Sequence, residues 1–217
     1  MTEDIFEFWS EIGRGDSVHP RDIQVMSRVD HVGKLNLDCL PACFSGPLKT
    51  ARIVLLFLNP GLSERDITWA TTDEGRDYYQ EKRRGSQPLS GPDGIGFKFW
   101  TSHTKDYGEW RNLRNKIAKL NISGYHSTKS PGTQLLAALP SSRVTLDWAQ
   151  QVLFPQAITG ERVVVCLRAK RFWGLDAREQ HGKALFAPEV TRGGRMKEGK
   201  MKQKIIRIVK AAIASSN

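Results

Sequence analysis

The sequence predicts an α/β fold in which helices lie on both sides of a mainly parallel central sheet of about four strands. Two continuous aliphatic runs, Ile53 to Leu58 and Arg162 to Leu167, have the composition of strands that are buried on both faces. Segments with helical spacing of their apolar residues alternate with these runs, which is typical of parallel sheets with helices packed against them. A chain of 217 residues is long enough for one domain, spanning residues 1–217.

The predicted elements follow from periodicity and from turn residues, taken in chain order. The strand assignments depend on aliphatic runs, and the helix assignments depend on apolar residues recurring every three or four positions. The predicted helices are 3–12, a short one around 78–83 inside a long loop at 73–96, then 110–119, 142–152, 169–175 and 200–214. The predicted strands are 52–58, one that begins at Leu120, 162–167, and a short one at 185–188.

Composition excludes several classes of protein. Hydrophobic residues make up 39% and charged residues 26%, as in ordinary globular proteins. No apolar run approaches the roughly 20 residues of a membrane-spanning helix. The acidic opening Met1-Thr2-Glu3-Asp4 is unlike the start of a secretory signal. We therefore expect a cytoplasmic protein, or a nuclear one in a cell that has a nucleus, that does not bind membranes. We also expect a monomer.

The three cysteines, Cys39, Cys43 and Cys166, do not suggest a disulfide framework because their number is small and odd. Cys39 and Cys43 lie close to His31 in the sequence, but the second pair of ligands that a structural zinc site needs is missing. We expect reduced thiols, and neither a metal nor a cofactor.

The formal net charge is +10, and most of it lies near the end of the chain. Residues 161–210 hold fourteen Lys and Arg against five Asp and Glu, whereas the other residues hold nineteen against eighteen. This distribution is typical of a phosphate-binding surface, and a solvated basic helix face would produce it equally well.

Three polar or glycine-rich segments follow predicted strands: Asn59–Ser63, Asn121–Ser127 and Ala187–Arg195. Ligands of open α/β sheets bind beyond the carboxyl ends of the strands, so these loops are expected to converge on one site. Within the first loop, Pro60 fixes one backbone angle and Gly61 permits a tight turn or close approach to a ligand. The Asn59 amide donates and accepts hydrogen bonds and can position a water, although Asn-Pro-Gly by itself also reads as a plain turn.

The segment from Ile53 to Ser63 resembles the first motif of the mismatch-specific uracil/thymine-DNA glycosylases. In that family an aliphatic strand runs into Asn-Pro-Gly, often followed by Leu-Ser. The resemblance implies a three-layer fold of the uracil-DNA glycosylase type and an enzyme that flips a base out of DNA. It also implies that Asn59 holds the water that attacks the sugar carbon.

Further segments resemble the same superfamily. Gly96-Phe-Lys-Phe-Trp100 falls where an aromatic residue stacks on the flipped base, so Phe97 and Phe99 are candidates, with plain core aromatics as the alternative. Asn121–Ser127 resembles a strand and loop that carry Pro-Tyr-His-Ser, with Gly124 in place of the proline. The resemblance suggests three roles: Asn121 reads a base edge, His126 acts as an acid or electrostatic partner, and Ser127 contacts a phosphate, as Ser63 does from the first loop.

The second motif departs from the family pattern. It usually begins with His-Pro or Asn-Pro, and here Ala187 precedes the proline, so the side chain cannot donate a hydrogen bond to the departing base. The segment still carries cations expected to contact DNA: Arg192, Arg195, Lys197 and Lys200.

The expected function is therefore a DNA glycosylase that flips and hydrolytically excises a deaminated or otherwise modified base. The alternative is a non-catalytic nucleic-acid or nucleotide-binding protein of the same fold, which the loss of the donor at Ala187 favours. An unrelated α/β enzyme with a nucleotide substrate is a third possibility, without support from a Gly-x-Gly-x-x-Gly or Walker-type loop.

Overall fold

The strands of the described residues form one six-stranded sheet. The computed structural model describes residues 3–28, 35–94, 96–175 and 178–215. The strands are β1 (Phe44–Ser45), β2 (Ile53–Phe57), β3 (Ile117–Asn121), β4 (Val163–Cys166), β5 (Gln180–His181) and β6 (Leu185–Phe186). Their order across the sheet is β1-β3-β2-β4-β6-β5.

The helices vary from single turns to a long closing helix. They are α1 (Ile5–Ser10), α2 (Ile23–Met26), α3 (Glu64–Thr71), α4 (Asp73–Arg83), α5 (Phe97–Thr104), α6 (Trp110–Leu113), α7 (Thr133–Ala138), α8 (Pro140–Trp148), α9 (Phe154–Thr159) and α10 (Lys200–Ala214). A short π-helix, Ala149–Leu153, joins α8 to α9. The local sequence explains where two of the helices begin. Asp4 caps α1, and Ser63 forms a capping box with Asp66 at the start of α3.

The sheet is mixed, which corrects the expectation of a mainly parallel sheet of about four strands. Strands β3, β2, β4 and β6 run parallel to one another, whereas β1 pairs antiparallel with β3 and β5 pairs antiparallel with β6 at the two edges. Each edge strand is two residues long. Such short strands carry no periodicity of their own, and pairing with the neighbouring strand defines them.

Helices pack against both faces of this sheet because alternate strand residues point to opposite sides. Val54 and Leu56 belong to a buried cluster that also contains residues of α1, α8 and α9. Ile53 and Leu55 belong to a second cluster with residues of α5, α6 and α10. The central strands are therefore covered on both faces, as their continuous aliphatic sequences predicted.

The structure confirms the opening helix, the strands that start near Arg52 and Arg162, the short strand at Leu185 and the closing helix. The predicted helix over 110–119 was wrong, since α6 ends at Leu113 and β3 begins at Ile117. Lys119 pairs with both Leu55 and Ser45, so sheet pairing overrides the local helical spacing. The helix predicted at 169–175 was also wrong, because this stretch forms turns. The loop predicted at 73–96 contains the eleven-residue helix α4.

Cys39, Cys43 and Cys166 are free and buried, and His31 lies outside the described residues. The described residues include no group of three or more His, Cys, Asp or Glu side chains arranged to hold a metal ion. None of the described helices combines the length and apolar character needed to cross a bilayer.

Candidate functional site

A cavity of about 1110 Å³ lies at the carboxyl ends of β2, β3 and β4. The loops that follow these strands line it, together with α3, α4 and α5. The three segments singled out in the sequence converge there, as expected for an open α/β sheet. The predicted site residues that line the cavity are Asn59, Gly61, Ser63, Phe99, Asn121, His126, Ser127 and Arg192.

The Asn59 amide is held in one orientation at the end of β2. Its Nδ2 donates to the carbonyl oxygen of Pro60 and to Oγ of Ser127, both at 2.8 Å. Because the carbonyl oxygen of Pro60 can only accept a hydrogen bond, the amide group that faces it must be the nitrogen, Nδ2, of Asn59. Oδ1 forms no hydrogen bond within the described part of the chain and is not buried, so it remains an acceptor at the cavity wall.

The two serines predicted to contact phosphate both use their hydroxyl groups within the protein. Ser127 Oγ accepts from Asn59 and donates to the carbonyl of Lys129. Ser63 Oγ donates to Oδ2 of Asp66 at 2.6 Å, as part of the helix cap of α3. Ser127 therefore positions Asn59, and Ser63 positions α3, although both residues line the cavity.

His126 connects the loop after β3 to the first loop and to α4. Its Nδ1 lies 2.7 Å from the carbonyl oxygen of Gly61, and its Nε2 lies 3.1 Å from the Tyr79 hydroxyl. The Gly61 carbonyl requires the proton to be on Nδ1, so Nε2 accepts from Tyr79. Burial, and then the charge of Lys82, lower the pKa of His126 to about 4. The imidazole is thus neutral, and both its nitrogens are occupied.

Gly61 itself faces open space. A methyl group added there would meet no atom within 4 Å, and the residue does not require a positive φ angle. The glycine therefore leaves room beside Asn59 rather than making a strained turn.

Ala169, which also lines the cavity, has a φ of 58°, and it is the one non-glycine residue with a positive φ in the described ranges. Such backbone strain concentrates at functional sites.

Asn121 is the most unusual residue of the cavity. It is only 1% exposed, yet neither Nδ2 nor Oδ1 has a hydrogen-bond partner. A buried polar atom without a partner costs about 1–3 kcal/mol. Asn121 lines the cavity, so a ligand with one acceptor and one donor would satisfy both atoms.

The structure separates the two candidate stacking residues. Phe99 lines the cavity and contacts Phe57 edge-to-face at 5.3 Å between ring centroids. Phe97 is not among the residues that line the cavity and packs against Trp110 at 5.8 Å. The side chains of residues two positions apart on an α-helix point in directions that differ by about 200°, so only one of the two phenylalanines can face the site.

Two lysines that were missed in the sequence also line the cavity. The Lys82 ammonium lies 4.5 Å from the centroid of the Tyr79 ring, and the Lys119 ammonium lies 5.0 Å from that of Phe99. Burial, and then the charge of Lys119, lower the pKa of Lys82 to about 7, while burial lowers that of Lys119 to about 8. Lys119 could have been found from its spacing, because it lies two residues before Asn121 and so shares a strand face with it, whereas no signal in the sequence pointed to Lys82.

The cavity carries strong positive charge. Among the described residues that line it, Asp66 is the one acid, and seven are cations: Arg65, Lys82, Lys98, Lys119, Lys129, Arg168 and Arg192. Oδ2 of Asp66 already accepts from the backbone and the hydroxyl of Ser63. A cleft lined by charges of one sign attracts a ligand of the opposite charge.

The second-motif segment contributes only partly to this site. Ala187 is fully buried, and its backbone N–H donates to the carbonyl of Glu179, so neither its side chain nor its amide faces the cavity. Arg195 and Lys197 line a neighbouring cleft of about 410 Å³. Lys197 lies 3.0 Å from the carboxylate of Glu189, and the exposed Lys200 lines neither space.

Comparison with models of protein families gave no match, and comparison with curated proteins gave none either.

Proposed function

We propose that the protein is a DNA glycosylase of the uracil-DNA glycosylase type, with the corresponding three-layer fold, which excises a deaminated or modified base. The observation that carries the proposal is the pairing of two asparagines in one cavity. Asn59 presents a fixed acceptor, and the buried amide of Asn121 lacks partners. The first suits a water, and the second suits the edge of a base.

The shape and lining of the cavity suit a base extruded from DNA. A flipped base needs an aromatic or apolar wall and polar groups that read its edge. Phe99 supplies a ring in the cavity, and Asn121 supplies one donor and one acceptor. A volume of about 1110 Å³ accommodates a nucleotide with its sugar and phosphate as well as the base.

The Asn59 geometry suits the positioning of a nucleophilic water. With Nδ2 fixed by Pro60 and Ser127, Oδ1 can accept a proton of a water and aim its oxygen lone pair at the sugar carbon. The exposed Gly61 leaves space for the sugar beside it. His126 holds this loop through the Gly61 carbonyl and is a positioning residue, because it has no free ring nitrogen.

The positive charge supports DNA as the partner. Cations around a cavity bind the phosphates on either side of an extruded nucleotide and contribute sequence-independent affinity. Arg192 and Arg168 come from loops at the carboxyl edge of the sheet, next to the proposed base pocket.

A second candidate function is binding without catalysis. The buried Ala187 favours it, because this position offers no donor to the departing base. Such a protein would bind a base or a nucleotide in the same cavity, and it would leave the glycosidic bond intact.

An excision assay separates the two functions. Oligonucleotides that carry uracil, hypoxanthine, xanthine or a G·T mismatch are incubated with the protein and then cleaved with alkali at abasic sites. We expect cleavage of at least one substrate, and a loss of about a hundredfold or more in Asn59→Ala. Asn112→Ala, which alters an exposed asparagine of α6 away from the cavity, is the matched control. Tight binding with no cleavage of any substrate would support the non-catalytic function.

A further inference from the structure

Lys82 and Lys119 lie in the same cavity, where the charge of Asp66 favours the charged form of each lysine but forms no ion pair with either. In the part of the chain that the structure describes, no carboxylate lies within 4.0 Å of either ammonium group. They are close enough for the charge of Lys119 to disfavour the charged form of Lys82. Two cations that repel each other in a half-buried space are costly to the fold, and a bound anion would relieve that cost.

The surroundings of these lysines are aromatic. The Lys82 ammonium lies over Tyr79 and within 6.0 Å of the Tyr78 ring centroid, and the Lys119 ammonium lies over Phe99 and Trp100. A planar ring that stacks in this region would therefore meet an ammonium group as well as an aromatic wall.

Lys119 also lies beside the unpaired amide of Asn121. The two residues are two positions apart in β3, so their side chains leave the same face of the sheet, about 7 Å apart along the strand. Asn121 requires one acceptor and one donor. A phosphate dianion offers acceptors only and would leave Oδ1 unsatisfied, whereas a heterocycle with a carbonyl and an N–H satisfies both atoms.

We propose that Lys82 and Lys119 form a binding site for an anionic heterocyclic ring. Resting on the proposed function, the ring is the departing base itself. The bond between the sugar carbon and the ring nitrogen breaks, its electron pair stays on the ring, and the water oxygen bonds to the sugar carbon. The attacking water loses one proton, which is finally bound by the released base. The two ammonium groups stabilise the negative ring before that proton arrives, which is the task that Ala187 cannot perform.

The test uses free rings and needs neither DNA nor catalysis. Barbiturate is an anion at pH 7, and uracil has the same six-membered ring but is neutral. Calorimetric titration at pH 7 is expected to show barbiturate binding about tenfold or more tighter than uracil. In Lys82→Met and Lys119→Met, barbiturate affinity should fall about tenfold while uracil affinity stays within about twofold. Lys210→Met, at an exposed lysine of α10 that does not line the cavity, should change neither.

Several outcomes overturn the proposal. Equal affinity for the two rings in the wild-type protein does so without any variant, and so does the absence of detectable barbiturate binding at millimolar concentration. Inorganic phosphate that competes as well as barbiturate would assign the lysines to a phosphate instead.

The anion site and the proposed reaction can fail separately. If barbiturate is preferred but no substrate is excised, the anion site stands and the proposed reaction fails. If substrates are excised while the rings bind equally, the reaction stands and this role of the lysines fails.

Discussion

Replacing Asn121 by leucine is expected to stabilise the fold and weaken ligand binding in the same variant. The wild-type side chain buries a donor and an acceptor with no partner, at 1% exposure. Leucine has a similar volume and no polar atoms. The change therefore removes the cost of both unsatisfied groups and leaves no large cavity in their place.

The size of both effects follows from the two orphaned atoms. Each costs about 1–3 kcal/mol, so a gain of about 2 kcal/mol in the free energy of unfolding is the low end of the expectation. For a chain of this length, that gain corresponds to a rise of about 4–8 °C in Tm. The loss of two hydrogen bonds to a ligand costs a similar amount, which weakens binding about 30-fold.

Thermal and urea unfolding of the wild type and Asn121→Leu measure the first effect, and titration with uracil measures the second. Asn36→Leu is the matched control, because Oδ1 of Asn36 accepts from the backbone N–H groups of Asp38 and Cys39, both at 3.0 Å. That variant leaves two donors without a partner, so it should lower stability by about 1–2 kcal/mol and leave binding unchanged.

The reasoning would be refuted if Asn121→Leu were destabilised as much as Asn36→Leu, since Asn121 would then have a structural role. Unchanged affinity for the ring in Asn121→Leu would equally remove this residue from the binding site.

Further expectations concern the charged groups. Because the pKa of Lys82 is lowered to about 7 and that of Lys119 to about 8, the cavity loses positive charge as pH rises, and barbiturate affinity should fall between pH 6 and 9; a flat profile contradicts this. The His126 ring, with its pKa lowered to about 4, should remain neutral from pH 5 to 8 in NMR titration, and a midpoint near 6.5 would be the contrary result. Combining Arg192→Ala with Arg195→Ala should reduce the slope of log affinity for DNA against log salt by up to about 2; an unchanged slope removes this loop from the interface.

Much of the sheet was predictable because its central strands are buried on both faces. Ile53–Phe57 and Val163–Cys166 are apolar throughout, so burial and strand pairing favour the same residues. The strand Ile117–Asn121 was harder to place, since Lys119 interrupts the apolar run and the preceding residues have helical spacing. The lysine is tolerated there because its side chain lines the cavity, so a charged residue interrupts the apolar run that marks a buried strand.

The candidate site was predictable at the strand ends and less so on the helices. Asn59 lies just beyond β2, which the sequence identifies, and Asn121 ends the neighbouring parallel strand β3, so the topology brings them together. The choice between Phe97 and Phe99 required the phase of α5, which begins at Phe97 after Gly96 in a left-handed conformation that spacing alone does not reveal. Lys82 lies on a helix that the sequence shows mainly as a charged stretch, so its position in the cavity depends on tertiary packing.

The central claim is that the cavity beyond β2 and β3 receives a base extruded from DNA. The most direct measurement is a crystal structure of the protein bound to duplex DNA that carries one 2′-fluoro-2′-deoxyuridine, whose glycosidic bond resists hydrolysis. We predict that the uracil ring lies against Phe99, with its edge hydrogen-bonded to Asn121 and its sugar carbon facing Oδ1 of Asn59. A complex in which the uracil remains stacked in the duplex, or in which the DNA contacts a different surface, would contradict this function of the cavity.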